Sequence, residues 1–221
     1  MIFEDQMKAA LKESITVIEK TQFYQDIING KNVKKYYIKY LDYAYHYVTL
    51  TSSFTPLAAR RMNPKYLRIR KWILEHSSEE MGHELMALND LKKLGKAENE
   101  ITSQSPPLGV TCWVSYFHYQ VAIANPFNAF GVLYFLEGMA TDLAPKLVPK
   151  IIDSLDDKEK KAITFFREHG DLDEDHLAEQ EAILFKADLD KIQQDSIIKT
   201  VQEAAQIKKF MLDQLVLEFN Q

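Results

Sequence analysis

One long segment of the chain is almost free of charge. Between residues 101 and 141 the only charged side chain is that of Glu137, although charged residues make up 27% of the sequence. A segment so poor in charge is expected to lie mostly inside the protein, because charged side chains mark the solvent face. It contains no run of about 18 or more apolar residues, which argues against a membrane-spanning helix. We therefore predict that this segment forms the centre of a helical bundle.

The apolar residues outside this segment are also spaced as in helices. Phe3, Met7, Ala10 and Leu11 recur at intervals of three and four, the period of one helix face. Glycine and proline number 7 each, about 3% apiece where roughly 7% and 5% are usual, so tight turns are few. We predict an all-α protein in a single domain spanning residues 1–221. About eight helices are expected, over residues 2–20, 32–60, 64–94, 107–124, 126–143, 145–153, 156–187 and 190–219.

Charge and cysteine content narrow the expected partners and compartment. The formal net charge of −5 at pH 7 gives no reason to expect nucleic acid or an anionic membrane as a partner. The single cysteine, Cys112, excludes an intrachain disulfide and is typical of a reducing compartment. The first residues lack the basic and apolar regions of a signal peptide. We therefore predict a cytoplasmic protein.

Glu137 is the first candidate functional residue. Burial of its carboxylate is costly unless a cation, a metal ion or hydrogen-bond donors compensate the charge. The side chain is therefore either a structural partner of a buried Arg or Tyr, or a metal ligand or acid–base group. The residue by itself leaves both interpretations open.

The second candidate is the segment that runs from His169 to His176, with Asp173 between them. These three residues stand at positions i, i+4 and i+7, which fall on one face of a helix. Two imidazoles and a carboxylate on one face provide half of a metal site. An acidic surface turn is the alternative, and it explains the neighbouring acids but not the phase of the two histidines with Asp173.

The third candidate is the pair formed by Glu80 and His83. A Glu and a His at i, i+3 share a helix face, and such pairs recur in bundles that hold two carboxylate-bridged metal ions. His76 lies one turn earlier on the same predicted face. The pair is also frequent by chance, so by itself it favours a structural role.

Together, the three predicted helices carry three histidines and three carboxylates. A mixed nitrogen and oxygen set suits Fe(II) or Mn(II), whereas a structural zinc needs four ligands. We predict iron as the cofactor and manganese as the alternative, and six ligands are enough for two ions. His76 is a further candidate ligand. The six principal candidates are Glu80, His83, Glu137, His169, Asp173 and His176.

On these three motifs the sequence resembles the heme-oxygenase-like superfamily of dimetal oxidases and oxygenases. This superfamily includes the relatives of the chlamydial death-domain-associating protein, the pyrroloquinoline-quinone synthase family and the TENA group. The resemblance covers most of the chain, from the predicted helix 32–60 to the predicted helix 156–187. It implies a bundle of about seven helices, two irons or an iron with a manganese, and O2-dependent oxidation or cleavage of a small amine- or acid-bearing molecule. A homodimer is implied by the resemblance alone.

The resemblance also implies a division of the ligands. His83, Glu137 and His169 would hold one metal ion, and Glu80, Asp173 and His176 would hold or bridge the second. Members of the superfamily often carry a further carboxylate where this sequence has His76 or His46. A histidine at either place lowers the negative charge of the second metal site, which leaves the number of ions open.

The remaining histidines and the tyrosines favour packing roles. We expect His46 to be a core histidine among tyrosines, and His118 to be buried in the charge-poor segment. The tyrosines of residues 36–47 form an amphipathic packing stripe. The alternative is that a tyrosine beside the metal site relays electrons, and Tyr24 lies in the region where such a tyrosine is expected. Aromatic and apolar side chains of residues 113–135 are expected to line the substrate pocket.

We therefore predict a non-heme iron oxidase or oxygenase that uses O2 and a small organic substrate, with its catalytic residues unassigned. One alternative is a metal-free enzyme related to pyrroloquinoline-quinone synthase or to TENA, in which Glu137 and the histidines do acid–base work. In that case Cys112 is a weak match to a thiaminase nucleophile. A second alternative is a non-enzymatic helical module that binds a partner protein. Heme oxygenase itself is not expected. Its proximal histidine should lie near the start of the first helix, and residues 1–45 contain no histidine.

Overall fold

The protein is built from helices joined by short connections. In the computed structural model the backbone is described for residues 2–219, and the side chains for residues 2–50, 52–168 and 175–218. Within this part of the chain there are α-helices and one short 3-10 turn at Pro64–Tyr66, and no strand. The helices are α1 (Phe3–Glu19), α2 (Gln22–Ile28), α3 (Val33–Phe54), α4 (Pro56–Arg61), α5 (Leu67–Glu79), α6 (His83–Lys93), α7 (Glu98–Thr102), α8 (Leu108–Ala122), α9 (Asn128–Asp153), α10 (Thr164–Leu184) and α11 (Lys191–Phe219).

Helix α9 occupies the centre, as the charge-poor segment predicted. Residues 127–135 are all buried, and α9 packs against α1, α8, α10 and α11. Gly131 permits the close approach of α11, since a Cβ at this position would lie only 2.6 Å from the carbonyl oxygen of Ile197. The rest of the segment is less buried than predicted, because α8 exposes one face that includes Tyr119.

Several predicted helix boundaries were wrong. The predicted break between residues 143 and 145 does not occur: α9 continues through Pro145 and Pro149 to Asp153. Each proline removes one backbone donor and normally interrupts a helix, so packing of α9 overrides the local preference. The predicted helix 156–187 begins only at Thr164, after a turn.

Buried contacts fix the start of α10. The backbone N–H of Phe165 donates to the carboxylate of Asp90 at 2.9 Å, and the hydroxyl of Tyr37 donates to the carbonyl oxygen of Ala162 at 2.7 Å. Asp90 is fully buried and also pairs with Lys93. The carboxylate thus satisfies a donor of the first turn of α10, a long-range contact that local sequence does not reveal.

The predicted helix 64–94 is broken at residues 80–82, where it carries candidate ligands. Helix α5 ends at Glu79, and α6 begins at His83 after Gly82, which has a φ of 100°. Glycine adopts this left-handed conformation at little cost. The expectation that Glu80 and His83 share one continuous helix face was therefore wrong, although the two residues still meet across the turn.

Among residues 2–219, no helix combines the length and the apolar character needed to cross a membrane.

Candidate metal centre

Four ligand-type side chains from three helices meet inside the bundle. Donor atoms of His76, Glu80, Glu137 and His176 all lie within 4.8 Å of one another. His76 lies in the last turn of α5 and Glu80 is the C-cap residue of that helix, whereas Glu137 lies in the middle of α9 and His176 on α10. His76 and Glu137 are buried, whereas Glu80 and His176 are partly exposed. Two imidazoles and two carboxylates in such a cluster form a mixed nitrogen and oxygen donor set.

His76 is held in place by aromatic packing. Its ring stacks on the indole of Trp72 with 4.8 Å between ring centroids and an interplanar angle of 11°, and Trp72 stacks in turn on Phe130. The Nε2 atom lies 3.4 Å from Oε1 of Glu137. Burial lowers the pKa of His76 to about 4, so the imidazole is neutral at pH 7 and retains a nitrogen lone pair for a metal ion.

His176 has carboxylates on both sides of its ring. Its Nδ1 lies 3.9 Å from Glu80 and 3.8 Å from Glu137, while its Nε2 lies 3.4 Å from Oε2 of Glu79. A histidine that binds metal through one nitrogen commonly donates its other N–H to a carboxylate, which fixes the tautomer. Glu79 therefore has the position of such an orienting group. Sequence reasoning missed it, since no motif singles it out within the acidic run at the end of α5.

The pair of Glu80 and His83 survives the helix break. The Nδ1 atom of His83 lies 3.2 Å from Oε2 of Glu80, and the imidazole is nearly buried. His83 thus contacts the cluster through Glu80. The structure groups the candidates differently from the predicted division, because Glu137 lies with Glu80 and His176, and His76 joins them.

The cluster fits a divalent cation. Among the described residues, neither ring nitrogen of His76 nor the Nδ1 atom of His176 has a hydrogen-bond partner, although buried polar atoms normally have one. Two carboxylates balance the charge of one divalent ion, and the two imidazoles add nitrogen donors. A metal ion would therefore coordinate ring nitrogens that have no hydrogen bonds within the described part of the protein.

Two predicted ligands, His169 and Asp173, lie outside the residues whose side chains the structure describes. Their assignment as ligands stays a prediction. The same holds for the assignment of Glu80, His83, Glu137, His176 and His76 as ligands.

The other histidines lie elsewhere. His46 is buried on α3 against the ring of Tyr45, as expected for a core histidine, and burial lowers its pKa. His118 was expected to be buried, but it is exposed on α8 with its ring against Phe54. The reason is that α8 turns one face to solvent. Cys112 lies partly buried on the same helix.

A pocket opens beside the cluster. It encloses a cavity of about 120 Å³, whereas one water molecule needs roughly 10–15 Å³. His76, Glu80 and Glu137 form part of its wall, and the other lining side chains are mostly apolar or aromatic. The expectation that residues 113–135 line it was largely wrong, because only Phe117 and Leu133 of that range do so. Trp113 and Phe130 instead fill the core between helices.

Solved structures with the same arrangement of helices define the class. A protein domain of unknown function with a heme oxygenase-like fold from Shewanella denitrificans is 22% identical, with a TM-score of 0.85 over 100% of this chain and 94% of that chain. A TenA homologue from Pseudomonas syringae is 13% identical, with a TM-score of 0.78 over 97% of this chain and 93% of that chain. A CADD-like protein of unknown function from Nostoc punctiforme is 15% identical, with a TM-score of 0.73 over 98% and 97% of the two chains. The protein therefore has the heme oxygenase-like fold, as predicted.

The sequence comparison identifies the family. The model of the family described as "iron-containing redox enzyme" matches residues 38–209, which contain every candidate ligand. The chain belongs to this family of heme-oxygenase-like proteins. No curated protein is similar enough in sequence to give a match.

Proposed function

We propose that the protein is an iron-dependent oxidoreductase that uses O2 to oxidise a small organic molecule bound in the pocket beside the cluster. The observation that carries the proposal is the convergence of His76, Glu80, Glu137 and His176 at the wall of that pocket. The family, whose description names iron and redox chemistry, supports the same assignment.

The donor set supports iron or manganese rather than zinc. Two imidazoles and two carboxylates leave coordination positions open in a six-coordinate site, and bound iron supplies the one-electron and O2 chemistry that protein side chains lack. The two carboxylates neutralise a divalent ion, and Trp72 and Glu79 hold the two imidazoles in their orientations. A second ion would need ligands beyond the four, for which His83, His169 and Asp173 remain the candidates.

The pocket wall determines what the chain contributes beyond metal binding. Aromatic and apolar side chains such as Phe117, Leu133 and Phe165 surround the cavity and keep bulk water from the reacting groups. Tyr24, Tyr40 and Tyr47 also line it, so phenol hydroxyls are among its polar groups away from the cluster. The surroundings favour an organic substrate with a largely apolar body.

The test is to load the purified protein with Fe(II) without oxygen, to measure bound iron, and then to follow O2 uptake and the optical spectrum after mixing with O2. We expect stoichiometric iron binding and O2 uptake in the wild type, and loss of both in His176→Ala. His118→Ala is the matched control, since it removes an exposed histidine away from the cluster. The proposal fails if wild type and His176→Ala bind iron and consume O2 alike.

A metal-free acid–base enzyme is the competing function, supported by the structural similarity to TenA homologues. It would be favoured if the protein bound neither iron nor manganese at any loading. In that case Glu137 and His76 would act directly on a heterocyclic substrate.

A further inference from the structure

Lys208 is a buried lysine that the proposed metal centre does not use. It lies on α11 with 1% of its surface exposed, and it lines the same pocket as His76, Glu80 and Glu137. Its Nζ atom has no hydrogen-bond partner among the described residues. Lysine is almost never fully buried without a partner, so an unpartnered amine in a ligand-sized pocket calls for a functional explanation.

Three aromatic rings surround the amine. Nζ lies 3.9 Å from the ring centroid of Tyr47, 5.2 Å from that of Trp113 and 5.5 Å from that of Tyr40. These distances are within the range of cation–π contacts, which stabilise ammonium and other organic cations. No carboxylate of the described residues forms an ion pair with Lys208. The aromatic cage, defined by Tyr40, Tyr47 and Trp113, therefore offers a cation modest support without a counter-ion.

We propose that Lys208 is a nucleophilic amine that condenses with the carbonyl group of an aldehyde or ketone substrate in the pocket and holds it as an imine. The amine nitrogen forms a bond to the carbonyl carbon to give a carbinolamine. This intermediate loses the former carbonyl oxygen as water and leaves a carbon–nitrogen double bond, so that no oxidant or reductant is needed. The protonated imine is a cation, which the aromatic cage accommodates as it does the ammonium.

The surroundings favour this chemistry over the binding of an acid. Burial lowers the pKa of Lys208 to about 7, so a large share of the amine is neutral and nucleophilic at neutral pH. An acid would bind only the protonated form, and both charges would have to be desolvated. In the metal-free protein the carboxylates of Glu80 and Glu137 in the same pocket also oppose a negatively charged substrate.

Two hydroxyls are placed to move the protons of the condensation. The hydroxyls of Tyr40 and Tyr47 lie 3.2 Å apart and are hydrogen-bonded, and both rings face the amine. Loss of water from a carbinolamine requires a proton on the departing oxygen, which a phenol can deliver and recover. An imine also acidifies the neighbouring carbon–hydrogen bond, which prepares that carbon for oxidation. This last role rests on the proposed function.

The experiment uses the whole, metal-free protein, so that its outcome does not depend on iron. Wild type is incubated near pH 7 with phenylbutyraldehyde and cyanoborohydride, which reduces imines to stable amines, and adducts are mapped by peptide mass spectrometry. We expect the modified fraction at Lys208 to exceed that at Lys209 about tenfold or more, because an ordinary lysine is almost wholly protonated at this pH. Phenylbutanol should protect Lys208 by occupying the pocket.

Two variants complete the test. Lys208→Met should lose the dominant adduct, whereas Lys209→Met, which removes the neighbouring lysine that pairs with Asp213, should keep it. Adducts spread evenly over surface lysines in the wild type would overturn the proposal, whether or not Lys208→Met folds. Tight binding of phenylbutyrate without any adduct at Lys208 would also overturn it and would assign the lysine to an anion instead. Failure of iron binding would leave the expected adduct unchanged.

Discussion

The imidazole Nε2 of His76 lies 3.4 Å from Oε1 of Glu137, and both side chains are buried. The contact joins the end of α5 to the middle of α9, the helix at the centre of the protein. A neutral imidazole compensates a buried carboxylate poorly. A divalent cation between them compensates it well, so the pair is better explained as half of a metal site than as a structural ion pair.

Glu137→Gln separates these two explanations. A metal ligand predicts that Mn(II) affinity, measured by electron paramagnetic resonance titration, falls by about 100-fold or more, while the metal-free variant melts no lower than the wild type because a buried charge is gone. A structural ion pair predicts that Mn(II) affinity is unchanged and that the metal-free variant melts at a lower temperature than the wild type. Glu181→Gln is the control and should leave Mn(II) affinity unchanged. It removes a carboxylate on α10 that accepts a hydrogen bond from the hydroxyl of Tyr134.

Glu79→Gln tests the orienting contact on His176. Loss of a carboxylate that fixes a metal-binding histidine typically weakens metal binding by about 10–100-fold, so we expect a loss in this range with little change in thermal stability. Glu75→Gln removes an exposed carboxylate one turn earlier that pairs with Lys71 and serves as the matched control. Equal Mn(II) affinities of the two variants would rule out the orienting role of Glu79.

Gly82→Ala tests the break between α5 and α6. Nothing lies within 4 Å of a Cβ placed on Gly82, so the cost comes from the left-handed backbone alone, about 1–2 kcal/mol. We expect the free energy of unfolding, measured in urea, to fall by that amount. Gly82→Asn should lose less, because asparagine tolerates this conformation better. Equal stability of the wild type and Gly82→Ala would show that the turn is not constrained.

The charge of Lys208 should make stability depend on pH. Its pKa is about 7 in the folded protein and about 10.5 when unfolded, so between these values the unfolded chain binds more protons and the contribution of Lys208 to stability rises with pH. The free energy of unfolding of Lys208→Met should therefore exceed that of the wild type most at pH 6, by roughly 1 kcal/mol or more. This difference should be smaller at pH 9. Among the described residues, the rings of Tyr40, Tyr47 and Trp113 face the Lys208 amine, and no carboxylate forms an ion pair with it. Urea unfolding at both pH values measures the difference, and a difference independent of pH would contradict the assignment.

The sequence predicted the architecture well because its signals are long. The charge-poor segment around Glu137 and the helical spacing of apolar residues each extend over many positions, so single exceptions matter little. The predicted all-α bundle and its central helix were confirmed. Boundaries failed where distant contacts decide them. The packing of α9 overrides Pro145, and Asp90 sets the start of α10 from a remote helix.

The site was predicted in part for the same reason. Helical phase identified Glu80 and His176 as candidates, and the charge-poor segment identified Glu137; the structure brings the three together. Phase named His76 only as a further candidate ligand, and it gave no sign of Glu79 or Lys208, because the positions of these side chains depend on how α5, α10 and α11 pack. The cytoplasmic location, the single domain and a homodimer stay predictions.

The most direct test of the account is the position of a bound metal ion. Crystals grown with Fe(II) or Mn(II) should give an anomalous difference peak bounded by His76, Glu80, Glu137 and His176, at about 2.0–2.3 Å from their donor atoms. A second peak near His83 would extend the site to two ions. A saturated crystal with no peak among these four side chains would contradict the central claim.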